Sequence, residues 1–183
     1  MCYLSQYDLE SYIFETVHNR FSEKGFLNGY DFFCIVIWKA NRAKTKIAQR
    51  LLKDDKFDNL EDAVYALTTG ISNATKPKER LRYIMKVWGF QLPMATAILT
   101  ALYPEEFTVY DVRVCDELGD CYKLKNLISF ESIWSGYQTY IQMVESATPE
   151  GLSLRDKDRF LWGRSFSKQL ENDIGQGFSK GTS

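Results

Sequence analysis

Apolar residues recur at helical spacing along most of this chain, and no segment alternates apolar with polar residues as a half-buried strand would. No Asn-Gly turn separates two β-branched runs either, so the expected fold class is all-α. Capping and breaking residues divide the pattern into helices. The first is predicted over about 6–22, capped by Ser5 and ended by Gly25. The second, over about 30–40, distributes Phe32, Phe33, Ile35, Val36 and Ile37 too evenly for a surface helix, which puts it in the core. Further helices are expected over 44–53, 60–72 and 77–87, the last with Pro77 in its first turn and Gly89 as its stop. A residue before proline avoids the α region, so Leu92 is expected in the turn and the next helix from Pro93 to just before Pro104. Asp111 caps its successor, and helices over 130–145 and 154–172 complete the set. The glycine-rich tail from Gly177 to Ser183 is expected to fray.

With 183 residues, 45% of them hydrophobic, the chain can bury a sizeable core in one unit or two small lobes. It contains no apolar run of membrane-spanning length, and Met1-Cys2-Tyr3-Leu4-Ser5-Gln6 lacks the basic-then-apolar order of a signal peptide, so a cytoplasmic protein with no membrane partner is expected. Cys2, Cys34, Cys115 and Cys121 are scattered; neither a zinc knuckle nor a four-cysteine cluster can be drawn from them, and reduced, mostly buried thiols follow. The net charge of −1 excludes steering toward nucleic acid by net charge alone. Basic residues nonetheless gather in two runs, Lys39, Arg42, Lys44, Lys46 and Arg50, then Lys76, Lys78, Arg80, Arg82 and Lys86. Taken by itself, each run reads first as a solvated helix face.

Residues 87–118 are the most informative. Val87-Trp88-Gly89-Phe90-Gln91-Leu92-Pro93-Met94-Ala95 is a glycine turn entering an apolar helix, and Phe107-Thr108-Val109-Tyr110-Asp111-Val112-Arg113-Val114 leads to an aspartate opening the next. The arrangement resembles the helix-hairpin-helix DNA glycosylase superfamily, as a divergent member. There the hairpin reads roughly Leu-Pro-Gly-Val-Gly-x-Lys-Thr-Ala, and a later Val-Asp-Thr-His-Val turn supplies a catalytic aspartate. Gly89-Phe90-Gln91 falls on Gly-Val-Gly, Met94-Ala95 on Thr-Ala and Asp111 on the aspartate. The resemblance implies a two-lobed helical bundle with a helix-hairpin-helix near 78–103. Its middle helices, about 30–110, would form one lobe, and the segments 1–29 and 111–175 the other. Gln91 replaces the second glycine, and Pro93 stands where the Schiff-base lysine of a bifunctional glycosylase/lyase would be, so lyase chemistry through that position is excluded.

The resemblance implies a monofunctional DNA N-glycosylase that hydrolyses the glycosidic bond of a damaged or mismatched base, acting on double-stranded DNA as a monomer. Asp111 would be its catalytic carboxylate. Gly89, Phe90, Gln91 and Met94 would grip the DNA backbone through amides at a helix start, and Lys39, Asn41 and Arg42 would reach a groove or a phosphate. No cofactor is expected, and a monovalent cation at the hairpin stays open. Trp38, Trp88, Phe90 and Tyr110 either wall a base pocket or belong to the core, and His18 has no cluster around it that suggests a ligand role. Two other readings stand beside the enzyme: a catalytically silent helix-hairpin-helix DNA-binding module, and a helical protein-interaction domain in which Asp111 merely caps a helix.

Overall fold

The computed structural model describes residues 6–119 and 121–178, without the side chains of Asp54 and Tyr122. The protein is all-helical, with no strand among the described residues. No helix there is long and apolar enough to cross a membrane. The chain divides into two compact units, with the boundary between Val109 and Tyr110.

The first unit begins with α1, in which a turn Leu9–Ser11 passes into a π-helical stretch Tyr12–Val17 and back to α-helix His18–Lys24. Asp8 caps Leu9–Ser11 by accepting from the Ser11 amide; the predicted cap Ser5 lies outside the described residues. Gly25, in the left-handed region, ends the helix as expected. Helix α2 (Gly29–Ala40) is capped by Asn28, and a 3₁₀ turn Asn41–Ala43 leads into α3 (Lys44–Leu51). Another 3₁₀ turn, Lys53–Asp55, precedes α4 (Leu60–Asn73), capped by Asn59. Helix α5 starts at Pro77 and continues beyond Arg82 as a π-helical stretch Tyr83–Val87.

Helix α6 (Leu92–Leu102) forms the middle of this unit, packing on α1, α2 and α5. All of its residues except Pro93 are buried, as its apolar circumference requires. Its two buried hydroxyls are satisfied within the helix, Thr96 donating to the Leu92 carbonyl and Thr100 to that of Thr96. The helix starts at Leu92, one residue before the predicted Pro93, because extended Gln91 takes the cap position and leaves Leu92 free to open the first turn. Around α6 lie Ile13, Val17 and Phe21 of α1, Phe32, Ile35 and Val36 of α2, and Leu81 and Ile84 of α5, all buried. The central place predicted for α2 is therefore found, although its Ile37 reaches solvent.

The second unit holds α7 (Val112–Leu118), a 3₁₀ segment Tyr122–Asn126, α8 (Phe130–Ser146) and α9 (Leu154–Gly175). Phe130, Ile133, Tyr137, Tyr140 and Val144 form the buried stripe of α8, at the spacing of one helix face. Helix α9 packs against α7 and α8 through Leu161 and Ser165. Glu117 of α7 is clamped by Lys168 and Arg164 of α9; the Lys168 hydrogen bond, then that of Arg164, holds its carboxyl below the usual carboxylate range. Cys34, Cys115 and Cys121 are free, buried thiols, as the sequence suggested for the cysteines described.

Candidate functional site

In the first unit, the segment singled out by sequence is the turn Trp88–Gln91 between α5 and α6. Trp88 ends α5, and its ring stacks on Phe57 with 5.6 Å between centroids. Gly89 follows at φ +68°, a conformation in which a side chain is strained. The Phe90 amide reaches back to the Ile84 carbonyl at 3.2 Å, closing the turn, and the Phe90 ring is buried. Gln91, exposed and extended, caps α6 with its backbone: its carbonyl accepts from the amides of Met94 and Ala95.

This geometry sorts the hairpin residues. Phe90 and Met94 turn their side chains inward and use their amides inside the fold, Pro93 has no N–H, and the exposed side chain at the mouth of the turn belongs to Gln91. Arg50 of α3 completes the arrangement, its Nη1 donating to the Gly89 carbonyl. A Cβ on residue 89 would lie 2.7 Å from the same nitrogen. We therefore expect Gly89→Ala to cost about 1–2 kcal/mol in urea unfolding. Adding Arg50→Ala removes the collision but not the left-handed backbone, so a double variant restored to full wild-type stability would contradict this account.

The basic runs also separate by role. Arg80 lies inward, its Nη1 2.5 Å from Glu106, its Nε bonded to the Ala74 carbonyl and its guanidinium 3.7 Å from the centroid of Tyr103. These contacts tie Arg80 into the fold; Lys76, Arg82 and Lys86 are exposed. At the end of α2, Asn41 and Arg42 are exposed in the 3₁₀ turn, Lys39 is half-buried, and Asn41 Oδ1 accepts from Lys44. His18 Nδ1 lies 3.3 Å from the Ala101 carbonyl, a structural contact within the unit.

In the second unit, Asp111 is half-buried at the start of α7, and its Oδ1 accepts from the Arg113 amide at 3.0 Å. The Arg113 side chain turns to α9, donating to Gln169 at 2.7 Å beside the rings of Trp162 and Phe166. Tyr110, before the aspartate, is buried against Tyr140 and donates to the Cys121 carbonyl. Trp38 packs edge-on to Phe14. The aromatics considered as base-pocket walls thus include two, Phe90 and Tyr110, that are core residues. Among the described residues, no group of three or more His, Cys, Asp or Glu side chains is placed to hold a metal.

Sequence reasoning missed the place of Arg50 at the α5–α6 turn, because it belonged to a basic run with no sign that its partner was a backbone carbonyl far along the chain. Comparison with protein-family models, curated proteins and solved structures finds no match to this chain. Its class is defined by its own geometry: an all-α protein carrying a left-handed glycine turn between two helices and an aspartate-capped helix after it.

Proposed function

We propose that the chain binds double-stranded DNA through the α5–α6 turn and acts as a monofunctional N-glycosylase on a damaged or mismatched base, with Asp111 as its carboxylate. The observation that carries the reading is the state of Asp111: its carboxylate is oriented by the Arg113 amide yet only half-buried, so it is held in place without being sealed into the core. Breaking an N-glycosidic bond builds positive charge on the sugar, which a fixed carboxylate stabilises while orienting water for attack. The target base leaves the stack before it reacts. With proline at position 93, no amine there can form a Schiff base, and hydrolysis is the outcome. Exposed Gln91, with Lys76, Arg82 and Lys86 of the neighbouring run, supplies hydrogen-bond donors and charge for the backbone.

A silent DNA-binding module is the second reading, favoured by the capping duty of Asp111 and by the Phe90, Met94 and Ala95 amides already used within the fold. Duplexes carrying a panel of damaged bases separate the two. Asparagine caps helices as well as aspartate, so Asp111→Asn tests chemistry without removing the cap. Wild-type protein should leave alkali-sensitive abasic sites, and the variant should lose at least about 100-fold in rate. Salt-sensitive binding without product on any duplex assigns the silent module, and absence of both product and binding overturns the DNA reading.

A further inference from the structure

Three helices of the first unit end at one place. Gly25 caps α1, Ser72 lies in the last turn of α4, and Leu102 and Tyr103 are the last residue and the C-cap of α6. All four line a cleft of about 330 Å³, small but within the size range of ligand clefts. A helix C-terminus carries carbonyls without intrahelical partners and the negative end of the helix dipole, so three such ends around one cleft favour a cation there.

The side chains of the wall favour the same charge. His18 Nδ1 lies 3.3 Å from the Ala101 carbonyl, one of the last four carbonyls of α6. A carbonyl can only accept, so the proton of the neutral imidazole sits on Nδ1 and Nε2 keeps its lone pair. Nε2 has no partner among the described residues. The Ser22 hydroxyl is spent on the His18 carbonyl, and Ser72 hydrogen-bonds the Tyr103 hydroxyl. Glu105 is exposed and has no partner among the described residues, while Glu106 meets Arg80 through Oε2. Acceptors therefore predominate in what remains along the wall: His18 Nε2, the Glu105 carboxylate and Oε1 of Glu106. Among the described residues, no three His, Cys, Asp or Glu side chains converge closely enough to hold a metal, so the cation that suits this wall is an organic one.

We propose that the cleft binds a small organic ammonium ion, a primary amine on a short hydrocarbon stem. Its N–H groups are met by His18 Nε2 and the carboxylates of Glu105 and Glu106, and its stem lies on the apolar part of the wall, Phe21, Leu102 and Pro104. The site uses neither the α5–α6 turn nor Asp111, and it stands whether or not the chain acts on DNA.

The chain has one histidine, so its imidazole nitrogens are read without overlap from other histidines by nitrogen NMR of the whole protein. Butylammonium, titrated at constant pH and low salt, should move the His18 Nε2 signal with a Kd of about 1 mM, as expected for so small a ligand. Neutral butanol and anionic butyrate should each bind at least about tenfold more weakly. Glu105→Gln, at an exposed position, should keep the helical circular dichroism and weaken butylammonium roughly threefold or more. A His18 signal that butylammonium leaves unmoved overturns the site. An equal response to butanol or butyrate overturns the ammonium class, and binding indifferent to Glu105→Gln overturns the part given to that carboxylate.

Discussion

Arg20→Met is expected to destabilise the first unit by about 2–4 kcal/mol, with a melting temperature lower by roughly 5–10 °C. Asp31, near the start of α2, is 1% exposed and accepts from Tyr12 Oη at 2.7 Å and from Arg20 Nη1 at 3.0 and 3.1 Å. A carboxylate removed from water is tolerable only while its charge is met. Truncating Arg20 leaves the Tyr12 hydroxyl as the side-chain donor shown for a buried negative charge. The Arg20 side chain is 46% exposed, so water replaces part of what is lost, and the expected cost is placed below the upper end for sealed pairs. Combining Arg20→Met with Asp31→Asn removes the stranded charge, so the double variant should be more stable than the sum of the two single losses. Urea unfolding of the four proteins measures this coupling. Strict additivity would mean that the pair does not hold α1 to α2.

Why this pair was invisible in the sequence shows how far such a reading extends. Helix identity depends on local chemistry: Asn28, Asn59, Asp111 and Ser153 cap helices through their own side chains, and Gly25 and Gly89 need only their own backbone angles. These elements were therefore legible, with ends shifted by as many as three residues, as at Gly175 of α9. The π-helical stretches Tyr12–Val17 and Tyr83–Val87 were not, because a widened turn answers to packing and not to a residue type. Asp31 was hidden for a similar reason. On an apolar helix it reads as an ordinary first-turn acid, and its burial depends on Tyr12 and Arg20 arriving from another helix.

The candidate site divides along the same line. Its glycine turn and capping aspartate were readable because each acts locally. The use of its charges was not: Arg50 and Arg80 belong to basic runs that look alike in sequence, yet Arg50 meets the Gly89 carbonyl, while Arg80 lies between Glu106 and the face of Tyr103. A basic run thus supplies both structural and solvent-facing cations, and only the tertiary fold assigns them.

Stability is expected to fall steeply between about pH 9 and pH 12. Burial pushes the Cys115 thiol up to about 12 and the Tyr12 phenol up to about 12, and raises those of Tyr110 and Tyr140 as well. In each case the folded protein holds its proton after the unfolded chain has released it. A raised folded pKa contributes stability that is complete below the unfolded value and disappears as pH climbs toward the folded one. The loss therefore begins near the ordinary thiol range, with Cys115, and deepens once the unfolded tyrosines ionise around 10. Every group protonated only in the folded state removes up to about 1.4 kcal/mol per pH unit, so several acting together are enough to unfold a protein of ordinary stability. Urea titrations at pH 7, 9 and 11 should show the decline, with Tyr140→Phe flattening the portion above pH 10. Tyrosinate absorbance provides the decisive measurement: it should appear together with loss of helical circular dichroism for the buried phenols. Complete ionisation of all tyrosines near pH 10 with the helices intact would refute the burial account and, with it, the packing assigned to Tyr110 and Tyr140 around α8.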